Sequence, residues 1–347
     1  MKPLVSIVID NYNYARYLGA AIDSALAQTW KPLEVIVVDD GSTDNSAHVI
    51  GRYRGRVHAI VQPNGGQGAA YNSGFAASRG DWVLFLDSDD LLDADAIERM
   101  MALALVRGDV AKVQGCLERI GPDGEPLGGT VPFLMHDGDV TPIARRFRQY
   151  AGPPGSGNLF RRDAIAPYLP MPPALWRRSA DTVTILLAAF HGRVATVDGP
   201  IGSYRLHVMP NRQQGLLGNI DRSLAGALRQ SDNRRRVVQE WGSARGGLSW
   251  PDEWLLLPWD WRTRAMSWRL QRAEHPFPED TRESLWRGLN TALAAWPGYS
   301  ALEQFALRAW MAAMLWGPAA LVGALARSNV SGGLRARLRR LRGGWAS

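Results

Sequence analysis

Short apolar runs alternate with helix-length amphipathic segments through the first third of the chain. In two of the longer segments, at residues 18–26 and 97–104, the apolar side chains fall on one helical face. Runs rich in β-branched residues between such segments predict strands that are buried on both faces. The alternation predicts an α/β fold with a doubly wound, mainly parallel sheet and helices on both faces. The predicted strands are Val5 to Ile9, Leu33 to Val38, Val57 to Val61, Trp82 to Leu86 and Val110 to Gln114.

The pattern changes twice further along the chain. Residues 116–180 are dense in glycine and proline, which predicts loops that line or cover a site rather than a new core. A helix at 181–190 and strands at 194–197 and 201–204 then resume the earlier order. After residue 218 the sequence pattern is typical of helices. Residues 219–347 contain eleven of the fourteen tryptophans. We therefore predict an α/β domain over 1–218 and a helical, tryptophan-rich appendage with a basic tail over 219–347.

Composition limits the classes of protein to consider. A chain of 347 residues exceeds what one hydrophobic core usually supports. The single cysteine, Cys116, excludes an intrachain disulfide framework and a multi-cysteine zinc site. The apolar stretch at the N-terminus is too short for a signal peptide, so the expected location is cytoplasmic. The net charge of +7 suits nucleic acid, anionic lipid or an anionic substrate, and only the distribution of charge can choose among them.

That distribution is uneven at the C-terminus. Glu303 is the last acidic residue, and seven arginines follow it. Residues 309–326 carry no charge, a length marginal for crossing a bilayer. In the tail, Leu334, Leu338 and Leu341 fall on one helical face among arginines, a pattern typical of a helix lying on anionic lipid. Three alternatives stay open: peripheral contact with the inner face of a membrane, a packed helix pair with a solvated tail, and a true span.

Polar clusters follow the predicted strands, where ligands bind in sheets of this kind. Three acids stand in the four positions Asp87 to Asp90, and like charges at close range repel one another. A hard cation such as Mn²⁺ or Mg²⁺ would relieve the repulsion and let the acids hold a pyrophosphate. The alternative is that Asp89, Asp90 and Asp93 open the next helix, predicted at 94–105, as cap and first-turn acids.

A second acidic cluster, Asp39 to Asp44, also follows a strand. Asp39 and Asp40 could accept hydrogen bonds from a nucleotide base and ribose, while a plain turn before a helix is the rival interpretation. Tyr12, after the first strand, could stack on a base or simply pack. The ordered combination of these features, more than any one of them, indicates a nucleotide site.

The ordered motifs resemble those of the family 2 glycosyltransferases of the GT-A fold. The resemblance is specific over residues 4–105, weaker to about 210 and absent afterwards. Asp10 departs from the proline that is frequent in the family. The matching segments are Val5 to Ile9 with Tyr12-Asn13, then Val37 to Asp44, then Asn64-Gly65 with Ala70, Asn72 and Gly74, then Gly80 to Val83 running into Leu86 to Asp90, whose Asp87-Ser88-Asp89 has the form of a DxD motif, and Tyr204 to His207.

The resemblance implies a set of donor-binding residues for a nucleotide-diphosphate sugar. Asp89 would bind the metal that bridges the diphosphate, and Tyr12 would stack on the base. The remaining donor-binding residues would be Asp39 and Asp40 at the base and ribose, Asp87 and Ser88 near the ribose, and Asn72 elsewhere on the nucleotide sugar. Arg205 and His207 follow the last predicted strand, where the arginine could meet the leaving diphosphate and the histidine could be a further metal ligand. A purely structural role is the alternative for His207.

The resemblance also implies a late carboxylate as the general base of an inverting, single-displacement transfer. Asp181 is the candidate, in a place where relatives often carry paired acids and where Ala180 replaces the first of the pair. A first-turn acid that stabilises a helix is the alternative interpretation of Asp181. The acceptor is expected to be a saccharide or a lipid-linked molecule, in the synthesis of cell-surface polysaccharide or glycolipid.

Four other functions are alternatives to glycosyl transfer. Acids clustered at the strand ends disfavour a nucleic-acid-binding module, so no nucleic-acid partner is expected. A haloacid-dehalogenase-type phosphatase would need Thr or Val at Leu91 and its acids after the first strand. A dinucleotide-binding dehydrogenase would need glycine at Tyr71. A relative that binds a nucleotide sugar without transferring it stays open.

Overall fold

A mixed, nine-stranded sheet lies at the centre of the computed structural model, which describes residues 2–207 and 223–327. The strands are β1 Val5–Asn11, β2 Leu33–Asp39, β3 His58–Val61, β4 Trp82–Asp87, β5 Leu91–Leu92, β6 Val110–Ile120, β7 Pro126–Val131, β8 Asn158–Arg161 and β9 Arg193–Arg205. The helices are α1 Ala15–Leu26, α2 Ser46–Gly51, α3 Gln67–Ala77, α4 Ala96–Arg107, α5 Thr141–Phe147, α6 Arg162–Ile165, α7 Asp181–Ala188, α8 Leu224–Gly246, α9 Pro258–Leu270, α10 Arg282–Ala295, α11 Ala301–Trp316 and α12 Ala319–Arg327.

The sheet runs in the order β3-β2-β1-β4-β8-β6-β9-β5, with β7 paired to β6. The first four strands are parallel to one another, and β6 is parallel to β9. Helices cover both faces: α1 and α4 pack on one and α3 and α7 on the other. The predicted doubly wound, mainly parallel sheet is therefore confirmed, and all five predicted N-terminal strands form. The first four end within two residues of their expected ends, and the fifth, β6, is six residues longer than predicted.

The glycine- and proline-rich region contributes more to the sheet than the predicted loops would. Its strand β8 lies antiparallel between β4 and β6, in the middle of the sheet, and Leu159 is fully buried there. Strand β8 has only four residues, two of them apolar, and so short a run shows no recognisable hydrophobic period. The strands predicted separately at 194–197 and 201–204 also join, as the single long strand β9.

Helix α3 approaches the sheet unusually closely, which sets the position of its N-terminus. A Cβ atom on Gly74 would lie 2.2 Å from Val8 Cγ1 and 3.3 Å from Val38 Cγ2. No real Cβ is found that close to a carbon atom, so only glycine allows this packing. The close approach fixes the first turn of α3 beside the carboxyl ends of β1 and β4.

The described residues group by their contacts into two units. Residues 2–207 with 235–252 form the first, and 223–234 with 253–327 form the second. The predicted boundary between 218 and 219 lies outside the described residues.

The second unit contains helices α9 to α12 around a core of its own. Trp310, Met311, Met314 and Leu315 of α11 and Val322 of α12 are buried in that core. The charge-free stretch is interrupted at Gly317 and Pro318, so it forms parts of two helices. In the part of the chain that the structure describes, no helix is long and apolar enough to cross a membrane. The arginine-rich tail, 328–347, lies beyond the described residues.

Candidate active site

Carboxyl groups converge at the ends of β1 and β4. Asp10 and Asp87 face each other as partners in the parallel β1–β4 register. Burial, together with the charges of Asp89 and Asp181, raises the pKa of Asp10 to about 8. Burial likewise raises the pKa of Asp87 well above its usual range, helped by Asp10 and Asp90. The charged forms of these acids repel one another at this strand edge, so a proton or a cation is needed to stabilise the cluster.

Asp89 and His207, the two predicted metal ligands, lie together. Nε2 of His207 is 2.6 Å from Oδ2 of Asp89, and both side chains are mostly buried. The imidazole ring also packs edge-on against Tyr14, with ring centroids 5.5 Å apart. Carboxylate oxygen and imidazole nitrogen are suitable donors for Mn²⁺, and oxygen donors suit Mg²⁺.

The donor set is incomplete as a protein-only metal site. Among residues 2–207 and 223–327, no group of three or more His, Cys, Asp or Glu side chains is arranged to hold a metal ion by itself. An orphaned polar atom lies near the pair, since Asp10 Oδ1 is buried and has no hydrogen-bond partner among the residues that the structure describes. These residues fit a hard cation whose remaining ligands come from a bound diphosphate.

Asp90, by contrast, uses its carboxylate to hold the surrounding chain. Its Oδ2 accepts a hydrogen bond from Ser156 Oγ at 2.6 Å, and its Oδ1 accepts one from the Arg205 backbone N–H at 2.9 Å. The Ser156 hydroxyl also receives the Asp87 backbone N–H at 3.1 Å. Helix α4 begins only at Ala96, so Asp89 and Asp90 do not open it. Ser88, between the acids, is buried.

Arg205 is buried at the end of β9 and fixes the backbone of the acidic run. Its guanidinium donates to the carbonyl oxygens of Asp89 at 2.8 Å, Gly121 at 3.0 Å and Pro122 at 3.2 Å. It also lies over the ring of Tyr17, 4.6 Å from the centroid. In this arrangement the arginine holds Asp89 in place, and its direct contact with a diphosphate stays a prediction.

The second acidic cluster shapes a loop beside Tyr12. Asp40 is buried, and its carboxylate accepts hydrogen bonds from Gln62 Nε2 at 2.7 Å and from the backbone N–H groups of Gly65 at 2.9 Å and Gly66 at 2.7 Å. Asp39 Oδ1 accepts from Asn11 Nδ2 at 3.0 Å. Both acids therefore order the loops around the strand ends.

The ring of Tyr12 is 47% exposed, which leaves an aromatic face open to solvent at the end of β1. The loop that carries it is held by the neighbouring Asn13, whose Oδ1 accepts a hydrogen bond from the Thr43 backbone N–H at 2.7 Å. The Asn13 backbone N–H donates to Ser42 Oγ at 2.9 Å. A base could stack on the exposed ring.

Asn72 lies on α3 and holds a neighbouring segment. Its Nδ2 donates to the Met171 carbonyl at 2.7 Å, and its Oδ1 accepts from the Met171 backbone N–H at 2.8 Å. The Asn72 amide therefore makes two hydrogen bonds to the Met171 backbone, as paired backbone groups do in a β-sheet. Contact between Asn72 and a donor stays a prediction.

Asp181, the predicted base, is the first residue of α7 and lies beside the acids of β4. A Cβ atom on Gly155 would lie 3.5 Å from Asp181 Cβ, 3.9 Å from Asp87 Oδ1 and 3.2 Å from the Tyr71 hydroxyl. The buried turn Gly155–Gly157 therefore brings two carboxyl residues from distant parts of the chain to a common point.

Three residues of the site were not among the sequence candidates. Gln67 hydrogen-bonds Asp87, and Ser156 hydrogen-bonds Asp90. Within the described part of the chain the buried hydroxyl of Tyr71 has no hydrogen-bond partner, and its ring stacks on Phe85 with the centroids 3.9 Å apart. The sequence could have indicated Gln67 as a site residue, because it lies in a polar loop that follows a strand. It could not have indicated Ser156, because the segment around Ser156 has no recognisable hydrophobic pattern.

Comparison with known proteins identifies the family. The sequence profile of Glycosyl transferase family 2 matches residues 6–169. An uncharacterised glycosyltransferase, alr2836, of a Nostoc species is 31% identical over 310 residues, covering 86% of this chain and 91% of that protein. Chondroitin synthase of Pasteurella multocida is 42% identical over 154 residues, but this stretch spans only 16% of the synthase.

Solved structures agree on the fold. TarS 1–349 of S. aureus, solved in complex with UDP, gives a TM-score of 0.51 at 16% identity, with 89% of this chain and 87% of that one covered. At this identity the likeness concerns the fold alone, which is GT-A-like. Taken with the profile match and the Nostoc relative, these findings show that the chain belongs to glycosyl transferase family 2 and is a glycosyltransferase.

Proposed function

We propose that the protein transfers a sugar from a nucleotide-diphosphate donor to an acceptor hydroxyl with inversion, in a reaction that depends on a divalent cation. The observation that carries the proposal is the meeting of Asp87 and Asp181 at Gly155, next to the Asp89–His207 pair. Donor-binding acids and a candidate base thus share one edge of the sheet. This is the arrangement that a single displacement requires.

The donor would lie across the ends of β1, β2 and β4. Tyr12 offers a stacking face for the base, and the ordered loops around Asp39 and Asp40 line the nucleoside side. Structures of TarS hold UDP and UDP-GlcNAc, which makes uridine nucleotides the first donors to test here. The synthases of chondroitin and hyaluronan that share 42% identity over 154 residues favour a role in polysaccharide synthesis.

Asp89 and His207 would hold Mn²⁺ or Mg²⁺. The cation would neutralise the developing charge of the leaving nucleoside diphosphate. On the acceptor side, Asp181 would remove the proton from the attacking hydroxyl as its oxygen reaches the anomeric carbon. Because the new bond forms on the face opposite the leaving group, one displacement inverts the configuration.

Donor binding can be tested by thermal shift. We expect UDP or a UDP-sugar to raise the melting temperature only when Mn²⁺ or Mg²⁺ is present, because the carboxyl cluster repels a bare diphosphate. At a nucleotide concentration 100 times the dissociation constant the stabilisation is about 2.7 kcal/mol. Guanosine and adenosine nucleotides, assayed in parallel, report the base preference. No metal-dependent shift with any nucleotide would contradict the proposed donor site, whereas binding without sugar transfer would identify a non-catalytic relative.

We further propose that the second unit contacts an anionic membrane surface, where a lipid-linked acceptor would lie. Leu302, Phe305 and Trp316 of α11 are each about half exposed or more, and their spacing places them on one helical face. The exposed Leu321 of α12 adds a fourth large apolar side chain. The chain then continues into a tail with five arginines and no acid, which complements anionic headgroups.

Vesicle sedimentation tests the membrane proposal. Full-length protein should pellet with vesicles that contain phosphatidylglycerol and stay in the supernatant with phosphatidylcholine alone. Phe305→Ser should lower binding at least about tenfold, because burying a side chain of this size contributes about 1.5–3 kcal/mol. Val106→Ser is the control, since Val106 is an apolar residue of the first unit that is 84% exposed, compared with 68% for Phe305. Equal recovery in the supernatant for the full chain and for a chain lacking 328–347 would contradict membrane contact.

A further inference from the structure

The side-chain amide of Gln67, the first residue of α3, contacts two separate segments. Its Oε1 accepts the Ala180 backbone N–H at 2.9 Å, one residue before α7 begins. Its Nε2 donates to Asp87 Oδ1 at 3.3 Å, at the end of β4. One amide thus joins Asp87 to the start of the helix that carries Asp181.

The two partners require an amide at this position. A backbone N–H can only donate, so the oxygen of Gln67 must face Ala180, and the NH₂ group then faces Asp87. A carboxylate would keep the first bond and repel Asp87, and an apolar side chain would make neither bond.

The segment before α7 lies directly against the first turn of α3. A Cβ atom on Gly66 would be 2.6 Å from Arg177 Cα, and one on Gly68 would be 2.8 Å from the Trp176 carbonyl oxygen. The backbone N–H of Gln67 donates to the Arg177 carbonyl at 3.1 Å, and that of Gly68 donates to the Trp176 carbonyl at 2.8 Å. Backbone contacts therefore dock this segment, and the Gln67 side chain links the docked segment to Asp87.

We infer that Gln67 is a positioning residue that fixes Asp181 relative to the donor-binding acids. The inference rests on the proposed function, in which Asp181 is the base. Asp181 follows Ala180 directly, so loss of the Ala180–Gln67 bond removes a direct link between the start of α7 and Asp87 of β4. A displacement of about 1 Å at a reacting group can lower the rate by roughly 100-fold. Donor binding does not require this bond and should persist without it.

The test separates transfer from binding. In Gln67→Met, which keeps the length of the side chain, we expect kcat to fall roughly 10–100-fold, while calorimetric binding of UDP with Mn²⁺ falls by a smaller factor, because the lost bond to Asp87 is long, at 3.3 Å. Gln62→Met is the matched control, because the Gln62 amide holds Asp40 and accepts the Ser73 hydroxyl at 2.5 Å. The control should weaken UDP binding and raise the donor KM more than it lowers kcat. Equal losses of binding and transfer in Gln67→Met would overturn the inference.

A second variant guards against misfolding and adds a pH readout. Gln67→Glu is nearly isosteric and keeps the acceptor for Ala180. Its kcat should be low near neutral pH and should recover as the introduced carboxyl is protonated and regains a donor. A pH profile parallel to that of the wild type would count against the inference.

A double-mutant cycle tests the coupling to Asp181 itself. Gln67→Met should cause no further loss of transfer in an Asp181→Asn background, because a positioning residue has nothing left to position. Multiplying losses would show that Gln67 acts independently of Asp181. The two failures are distinguishable: full transfer by Asp181→Asn removes the proposed base, while full transfer by Gln67→Met with an inactive Asp181→Asn overturns only the role of Gln67.

Discussion

Asp181→Asn is expected to lower kcat by about 10²–10⁴-fold, the usual contribution of a positioned general base. The amide keeps the size and hydrogen-bonding geometry of the side chain but cannot take the proton of the acceptor hydroxyl. UDP binding should stay close to the wild-type value, because the donor-side acids and the Asp89–His207 pair are unchanged. Transfer is measured by release of the nucleoside diphosphate, and binding by calorimetry.

The control for Asp181→Asn addresses the alternative that Asp181 only stabilises a helix end. Asp163 is a first-turn acid of α6 and is largely exposed, so Asp163→Asn removes the same kind of charge from the same kind of position. It should leave kcat unchanged. Near-normal transfer by Asp181→Asn would contradict the proposed role of Asp181 as the base.

Asp89→Asn is expected to abolish the metal-dependent part of donor binding. The change removes the carboxylate that pairs with His207, and the loss in Mn²⁺ affinity should reach about 100-fold or more, since altering even an outer-shell partner costs about 10–100-fold. The donor KM should rise and kcat should fall together, because the same cation would bind the ground state and stabilise the leaving group.

The matched control for Asp89→Asn lies just before α4. Asp95 is the residue before that helix and lies 3.8 Å from Arg99 in an exposed ion pair, so Asp95→Asn removes a true helix-start charge. It should keep both the Mn²⁺-dependent thermal shift and transfer. An Asp89→Asn protein that retains the Mn²⁺-dependent shift would exclude Asp89 as the metal ligand.

The sequence was most informative where periodicity and motif coincide. The strands β1, β2 and β4 are apolar runs that end in polar residues, so both the sheet and the location of the acids at its carboxyl edge follow from one pattern. The central strand β8 could not be predicted in the same way. Its four residues lie among glycines and prolines, and its place in the sheet depends on pairing with β4 and β6 on either side.

The different roles of Asp89 and Asp90 also depend on hydrogen-bond partners that the hydrophobic pattern of the sequence does not reveal. Asp90 has the same sequence environment as Asp89, but Ser156 and Arg205 occupy its carboxylate, whereas Asp89 faces His207. Similarly, the buried guanidinium of Arg205 is bound by three carbonyl oxygens. Such contacts join distant segments and arise only from tertiary packing.

The wide separation of these partners along the chain has a consequence for biosynthesis. Asp89 and His207 are 118 positions apart, and Asp90 and Arg205 are 115 apart. Contacts between such distant segments form slowly, because a long loop must close before they contribute any stability. The chain is made from its N-terminus, so β1 to β4 can associate while the acids still lack their partners. The capacity for chemistry therefore appears late in folding, only after β9 has joined the sheet.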